Sequence, residues 1–199
     1  MRLTLLFLFF SLACSAQWKL PEGYTIQQNI DGKANRIEQD FNGDGKKDLF
    51  AVLSNQQQQT KLFAALSGKD GYKTIHHSPL GYMDCCNRLE LKNNVVKVYS
   101  NGMRYFENYT FRYNKVTATF DFIGYDNESF GNAVHDGAGF HSLNLLTGQH
   151  KGSVYQSDRN NPEEGKARTI NRKEKVPKKY TLSNFEAAML WIEKVVQEN

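Results

Sequence analysis

The residues best suited to chemistry lie in a short acidic loop at positions 40–48. Oxygen-bearing side chains occur at loop positions 1, 3, 5 and 9, and Gly45 occupies position 6, where calcium loops turn sharply. The backbone carbonyl of Lys46 falls at position 7. This spacing predicts one Ca²⁺ bound by side-chain oxygens and by that carbonyl, with water completing the shell: Asp40, Asn42, Asp44, Lys46 and Asp48.

The charge of this loop also favours a cation. Its carboxylates repel one another at short range unless a positive charge lies between them. Outside the cell, millimolar calcium fills even a weak site with a Kd of order 10⁻⁴ to 10⁻³ M. The alternative is a solvated turn rich in Asp, Asn and Gly, with no metal. We predict a structural Ca²⁺ that fixes the turn between two strands.

The residues after the loop exclude an EF-hand. Position 12 is Ala51, so the bidentate Glu of a helix–loop–helix calcium site is missing. The apolar run Leu49–Leu53 ends at Ser54 and Asn55, and this length with turn residues beyond it favours a buried strand. The combination resembles the calcium loops between strands in FG-GAP and VCBS-type β-propeller repeats.

Residues 1–16 have the order of a signal peptide: Arg2, an apolar run, and then small residues. The run is too short to span a bilayer, and no later stretch is apolar enough to do so. Cleavage after Ala16 predicts a periplasmic or secreted protein. The alternative is a lipobox at residues 11–14, which would place a lipid anchor on Cys14.

The formal net charge of +4 is mild, and Arg2 leaves with the leader. Positive charge concentrates in residues 166–179, within a segment, 158–182, that we predict to be a basic linker or a solvated edge. An acidic protein surface or an anionic cell-wall polymer suits an exported chain better than nucleic acid does. Cys85 and Cys86 are adjacent, so they form either a strained vicinal disulfide or two free thiols.

Strand-like segments with turns about every ten residues predict a mainly β domain over residues 17–157. The clearest are residues 105–113 and 116–122, where aromatic and β-branched residues alternate with polar ones. We predict an antiparallel β-meander or an incomplete β-propeller. Residues 17–33 are predicted to be irregular, and further strands are expected at 34–39, 61–66, 72–77, 89–91, 95–99, 142–146 and finally 150–156.

The C-terminal region, residues 183–199, changes to a helical period. Ser183 and Glu186 have the spacing of a capping box. Apolar residues then recur on one face, which predicts a single helix over 184–197 packed on the β-domain: Phe185, Ala188, Met189, Trp191, Ile192 and Val195.

No other cluster in the sequence has the spacing of a known site. Asp126, Asn127 and Glu128, with Asp136, fit a polar turn better than a second ion site. The histidines lack metal-binding spacing, and surface or hydrogen-bonded imidazoles are the default expectation. A nucleophile elbow, a phosphate loop and a dinucleotide fingerprint are all missing from the sequence, so we predict a binding protein and not an enzyme.

Three strings in the second half carry a closer resemblance: Tyr109–Tyr113, Phe122–Asp126 and Ser142–Gly148. Together with the acidic loop they resemble the periplasmic calcium-binding immunity proteins, which have a small propeller-like β-fold. Members of that family block peptidoglycan-cleaving effectors of the lysozyme type through an exposed tyrosine loop. The resemblance implies an exported, Ca²⁺-dependent protein that binds and inhibits a cell-wall hydrolase.

The exposed turn of that family falls here on residues 99–104, where Tyr99 and Gly102 carry the match. The resemblance therefore implies partner-binding roles for Tyr99, Arg104 and the adjacent Tyr105. The C-terminal helix departs from the family pattern. The alternative function is a surface-associated adhesion or glycan-binding module without enzymatic activity, because calcium-loop β-repeats also occur in such proteins.

Overall fold

The structure is a computed structural model that describes residues 18–68, 71–72, 74–82, 87–158 and 165–197. The predicted signal peptide, the lipobox cysteine Cys14 and the pair Cys85 and Cys86 lie outside the described residues.

The first sheet has five antiparallel strands, with β3 at its centre. β3 pairs along one edge with β4, and along its other edge first with β2 and then with β1. β5 continues the sheet beyond β4. The strands are β1 (Tyr24–Ile26), β2 (Arg36–Gln39), β3 (Asp48–Asn55), β4 (Gln59–Leu66) and β5 (Thr74–Tyr82).

Both faces of this sheet are covered, which explains the continuous apolar run of β3. Leu49 and Leu53 pack with Phe63 in a small cluster beneath the N-terminal segment that carries Trp18. The alternate residues of β3 and β4 point into the main core. A strand buried on both faces is apolar at every position rather than at every second one.

The second sheet is a seven-stranded antiparallel meander in sequence order. Its strands are β6 (Arg88–Lys92), β7 (Val95–Asn101), β8 (Tyr105–Asn114), β9 (Thr119–Phe130), β10 (Ala138–Asn144), β11 (Gln149–Gln156) and β12 (Lys166–Lys173). Alternation holds well along β7 and β8, so one face of each strand is buried. That inner face packs on the first sheet.

Aromatic rings fill the space between the two sheets. Phe50 of β3 lies with its ring centroid 5.8 Å from that of Phe111 and 5.1 Å from that of Phe120. Phe41, which follows the first residue of the acidic loop, has its centroid 5.0 Å from that of Phe120 and is 5% exposed. The loop is therefore attached to the main core through its second residue.

The chain ends in a 3₁₀ turn, Leu182–Asn184, and helix α1, Phe185–Gln197. The predicted apolar stripe is confirmed, since Phe185, Ala188, Ile192 and Val195 are buried in the main core. The predicted capping box is wrong. Asn184 Oδ1 accepts from the Thr181 amide at 2.7 Å, whereas the Ser183 hydroxyl lies 2.7 Å from Nδ1 of His76 on β5.

The predicted strand 116–122 begins only at Thr119, and three further sequence-based boundaries need correction. Residues 166–173 of the predicted basic linker form strand β12, paired along its length with β11, and only Ile170 among them is buried. Asp126–Glu128 lie inside β9 and not in a turn. The segment predicted to be irregular includes β1. In these three cases backbone pairing with a neighbouring strand stabilises a sequence that lacks apolar alternation.

The predicted mainly antiparallel β fold with a C-terminal helix is confirmed. The fold consists of two packed antiparallel sheets, and α1 packs against the core between them. α1 has 13 residues, and the described part of the chain includes no helix with the length and apolarity required to cross a bilayer.

The ring of Phe185 makes α1 part of the core, so its loss should be costly. Its centroid lies 5.1 Å from those of Tyr109 and Phe122, and the residue is 2% exposed. Phe185→Ala is expected to lower the free energy of unfolding in urea by about 3 to 5 kcal/mol. Leu190→Ala on the exposed side of α1 should change it by less than about 0.5 kcal/mol. Equal effects of the two substitutions would contradict a core role for α1.

Candidate functional site

The acidic loop connects β2 to β3 and is ordered by its own side chains. Both oxygens of Asp40 accept backbone amides, from Gly43 at 2.6 Å and from Gly45 at 2.9 Å. The Asn42 and Asp44 side chains each accept the amide two residues further on, at 2.9 Å. Gly43 and Gly45 have φ of 84° and 82°, a conformation that favours glycine.

Electrostatics favour the ionised form of the first carboxylate. Backbone hydrogen bonds, the strongest from Gly45, lower the pKa of Asp40, although partial burial opposes this. The ammonium of Lys115, on the turn between β8 and β9, lowers that pKa further. A basic side chain from the second sheet therefore faces the loop.

Asp48, the last predicted ligand, is fully buried at the first position of β3. Its Oδ2 accepts the amides of Phe41 at 2.8 Å and Asn42 at 3.1 Å. Its Oδ1 accepts both the amide and the hydroxyl of Ser67, at 2.6 and 2.7 Å. Asp48 thus ties the start of the loop to the residue that follows β4.

The same serine also brings a second carboxylate of the loop close. The Ser67 hydroxyl lies 3.1 and 3.2 Å from the two oxygens of Asp44, and 2.7 Å from Oδ1 of Asp48. The amide nitrogen of Asn42 donates to the Ser67 carbonyl at 2.9 Å. Three of the predicted ligands therefore meet around one residue, which the sequence spacing did not indicate.

The predicted ligand set fits Ca²⁺ in donor chemistry, because all its atoms are hard oxygens on a loop that curls around glycines. Within the described residues, no three side chains drawn from His, Cys, Asp and Glu are grouped so as to hold a metal ion. Besides the three carboxylates, the predicted calcium ligands are the Asn42 side-chain oxygen and the Lys46 backbone carbonyl. In the structure the carboxylates are satisfied by amides and by Ser67.

The predicted partner-binding residues, Tyr99, Arg104 and Tyr105, do not all lie on the turn. Tyr99 lies within β7, where its hydroxyl donates to Glu90 at 2.8 Å and the Arg88 guanidinium lies 4.6 Å from its ring centroid. Burial, together with the Glu90 carboxylate, raises the pKa of Tyr99. Tyr99 is therefore held against the sheet and does not extend from a turn.

The turn itself is formed by residues 102–104, between β7 and β8. A Cβ on Gly102 would lie 2.3 Å from the ring of Tyr105, so glycine here lets that ring pack against the turn. Arg104 donates through a guanidinium nitrogen to the Asn132 carbonyl at 2.8 Å, which attaches the turn to the loop between β9 and β10. Met103 at the tip is 99% exposed.

A buried hydrogen-bonded chain of histidines was missed by sequence analysis. His141 Nδ1 lies 3.0 Å from His150 Nε2, and His150 Nδ1 lies 2.9 Å from Oε1 of Glu174, which also pairs with Arg172. The register of β10 with β11 creates the contact, because His141 faces Gly152 and His150 faces Leu143. Neither histidine alone has a sequence signal for this.

When the rings of His141 and His150 are both neutral, their hydrogen bonds to each other and to Glu174 define which nitrogen carries each proton. Glu174 accepts from Nδ1 of His150, whose Nε2 then accepts from Nδ1 of His141. Burial, with added repulsion from His150 and Arg172, lowers the pKa of His141 to about 4. Although burial acts to raise it, hydrogen bonds from His150 and Arg172 lower the pKa of Glu174.

Two tyrosines share a half-buried acceptor, Glu107. The hydroxyls of Tyr109 and Tyr125 donate to the two oxygens of Glu107, at 2.6 and 2.7 Å. Burial, with the Glu107 carboxylate, raises the pKa of both tyrosines. Because Glu107 is occupied on both oxygens, we interpret it as a structural acceptor beneath α1.

Comparison with protein-family models, with curated proteins and with solved structures finds no match for this chain.

The histidine chain predicts a specific loss of stability in acid. His141 stays neutral in the folded state down to about pH 4, whereas an unfolded histidine protonates near pH 6.5. The unfolded state therefore binds more protons, and the free energy of unfolding should fall from pH 6.5 to pH 4, by up to about 3 kcal/mol from this group.

His141→Asn keeps a donor near His150 and removes the titrating ring, so it should flatten this part of the pH profile. Urea unfolding of both proteins at pH 7, 5.5 and 4 measures the difference. Parallel profiles for wild type and variant would contradict the assignment.

Proposed function

We propose that the protein is an exported calcium-binding β-protein that binds a peptidoglycan hydrolase and blocks its cleft. The observation that supports binding is the surface around the turn at residues 102–104. Met103 is 99% exposed, and Phe106, Phe130 and Val134 beside it are 38%, 42% and 43% exposed. The rings of Phe106 and Phe130 are in contact, and grouped exposed apolar residues mark interaction surfaces.

The turn at residues 102–104 is held rigidly enough to block an enzyme's cleft. Its backbone is tied on both sides, since the Gly102 amide donates to the Tyr105 carbonyl and the Phe130 amide donates to the Arg104 carbonyl, each at 2.9 Å. A segment ordered before binding loses little conformational entropy when it binds. Arg104 supplies a charged group beside the apolar tip, and arginine is enriched among residues that dominate binding energy.

Calcium binding is the second part of the proposal and concerns the loop at residues 40–48. Here Ca²⁺ would supply positive charge among Asp40, Asp44 and Asp48. The mechanism is stabilising: a cation bound only to the folded state raises the free energy of unfolding by mass action. Because Asp48 and Ser67 connect the loop to β3 and β4, the gain would be transmitted to the first sheet.

The calcium prediction is tested by thermal unfolding. For a Kd of 10⁻⁴ to 10⁻³ M, 10 mM Ca²⁺ should add about 1.4 to 2.7 kcal/mol over chelator and raise Tm by several degrees. Asp40→Asn with Asp44→Asn should abolish the shift. Asp31→Asn with Glu22→Gln removes the same charge from exposed positions elsewhere and should leave it intact. Identical melting curves with calcium and with chelator would refute the site.

Hydrolase binding is tested with the purified protein and a purified lysozyme-type peptidoglycan hydrolase. Clearing of a cell-wall suspension should slow when the wild-type protein is added. Met103→Ser with Arg104→Ala should raise the concentration for half-inhibition at least tenfold, because the pair forms the exposed tip.

Ile30→Ser with Lys33→Ala is the matched control, since it also removes one exposed apolar residue and one cation. It should inhibit like wild type. Binding of the protein to isolated peptidoglycan, with no effect on the hydrolase, would instead favour the glycan-binding module.

A further inference from the structure

Three partly exposed phenylalanines lie on the outer face of the second sheet, away from the core. Phe106, Phe130 and Phe140 are 38%, 42% and 47% exposed, and the first two rings meet edge to face with centroids 5.3 Å apart. Strand register places Phe106 and Phe140 on either side of Glu128, because both residues pair with it from neighbouring strands. An aromatic ring therefore flanks this carboxylate on each side.

A second row of polar residues completes a groove. Asn108 and Ser142 flank Asp126 in the same way, one register step along β9. The groove has a volume of about 320 Å³, and the described residues that line it include two carboxylates, Asp126 and Glu128, and neither Lys nor Arg. His141 contributes to the lining and is neutral at physiological pH.

The two carboxylates differ in the hydrogen bonds that they accept. Asp126 accepts the Ser142 hydroxyl through Oδ1 at 2.6 Å. Glu128 is exposed, and its carboxylate makes no hydrogen bond or ion pair with the residues that the structure describes, although its backbone pairs with β8 and β10. Two positions apart on one strand, these side chains project from the same face, so their charges repel. A cation between them would relieve that repulsion.

The phenylalanine rings that line the groove favour one class of cation over others. Phenylalanine faces attract guanidinium and ammonium groups, more often guanidinium. A planar guanidinium can also pair with a carboxylate through two parallel hydrogen bonds, which an ammonium cannot do. The combination of flanking rings and unpaired carboxylate oxygens is therefore complementary to arginine.

We propose that the groove between Phe106 and Phe140 binds an arginine side chain of a basic protein segment, with the guanidinium held by Asp126 and Glu128. This goes beyond the proposed inhibition, because it depends on the groove and not on the partner being a hydrolase. The groove lies on the same face as Tyr99 and close to the turn at residues 102–104, so one partner can contact both.

Isothermal titration with a hexa-arginine peptide tests the proposal on the full chain. Hexalysine carries the same charge and serves as the probe control. Hexa-arginine is expected to bind with at least tenfold lower Kd than hexalysine. Asp126→Asn with Glu128→Gln should weaken hexa-arginine binding at least tenfold, and Phe106→Ser with Phe140→Ser should do the same.

Glu186→Gln with Glu193→Gln is the charge-matched control, since these carboxylates line a separate groove beside α1. This variant should bind like wild type. Melting temperatures of all variants, measured in parallel, identify any that fail to fold, and the isosteric Asp126 and Glu128 changes keep the Ser142 contact available.

Three outcomes would overturn the proposal. Equal affinity for the two peptides would show a general acidic surface. A larger loss in the Glu186 and Glu193 variant than in the Asp126 and Glu128 variant would place binding beside α1. Binding of a soluble peptidoglycan oligosaccharide that depends on Phe106 and Phe140, with no hexa-arginine binding, would assign the groove to sugar.

Discussion

The buried carboxylate of Asp48 is the interaction on which the first sheet and its loop depend. An ionised group with no solvent exposure is costly unless its oxygens are hydrogen-bonded. Here five donors satisfy it: two backbone amides of the loop, the Asn42 side-chain amide, and the amide and hydroxyl of Ser67. These contacts fix where the loop ends, where β3 begins and how the end of β4 meets both. They also direct Phe41 into the core between the sheets.

Much of the fold followed from local patterns. The period of two along β7 and β8 and the helical period of α1 are signals of burial on one face, and all three elements pack as expected. The turns of the acidic loop were also predictable, because Gly43 and Gly45 adopt positive φ and short polar side chains accept nearby amides. In these elements the local sequence pattern and the tertiary packing favour the same conformation.

The features that were missed depend on partners distant in sequence. β12 has one buried residue and lacks alternation, so only its pairing with β11 makes it a strand. His141 and His150 meet through the register of β10 with β11, and Glu174 joins them from beyond β12. Asp126 and Glu128 resemble turn residues, yet flanking strands hold them in β9. The role of Ser67 at the loop likewise arises from sheet pairing.

The two sheets differ in which of their faces are covered, and the proposed binding surface lies on the face that is left exposed. The first sheet is covered on one face by the second sheet and on the other by the N-terminal segment. The inner face of the second sheet packs in the main core, and among the described residues three partly exposed phenylalanines lie on its outer face. At its edge, β12 carries Lys166, Arg168, Arg172 and Lys173, and charged edge strands resist pairing with another sheet. A partner is therefore expected to meet the outer face through side chains, as the proposed turn and groove both require, and not by adding a strand.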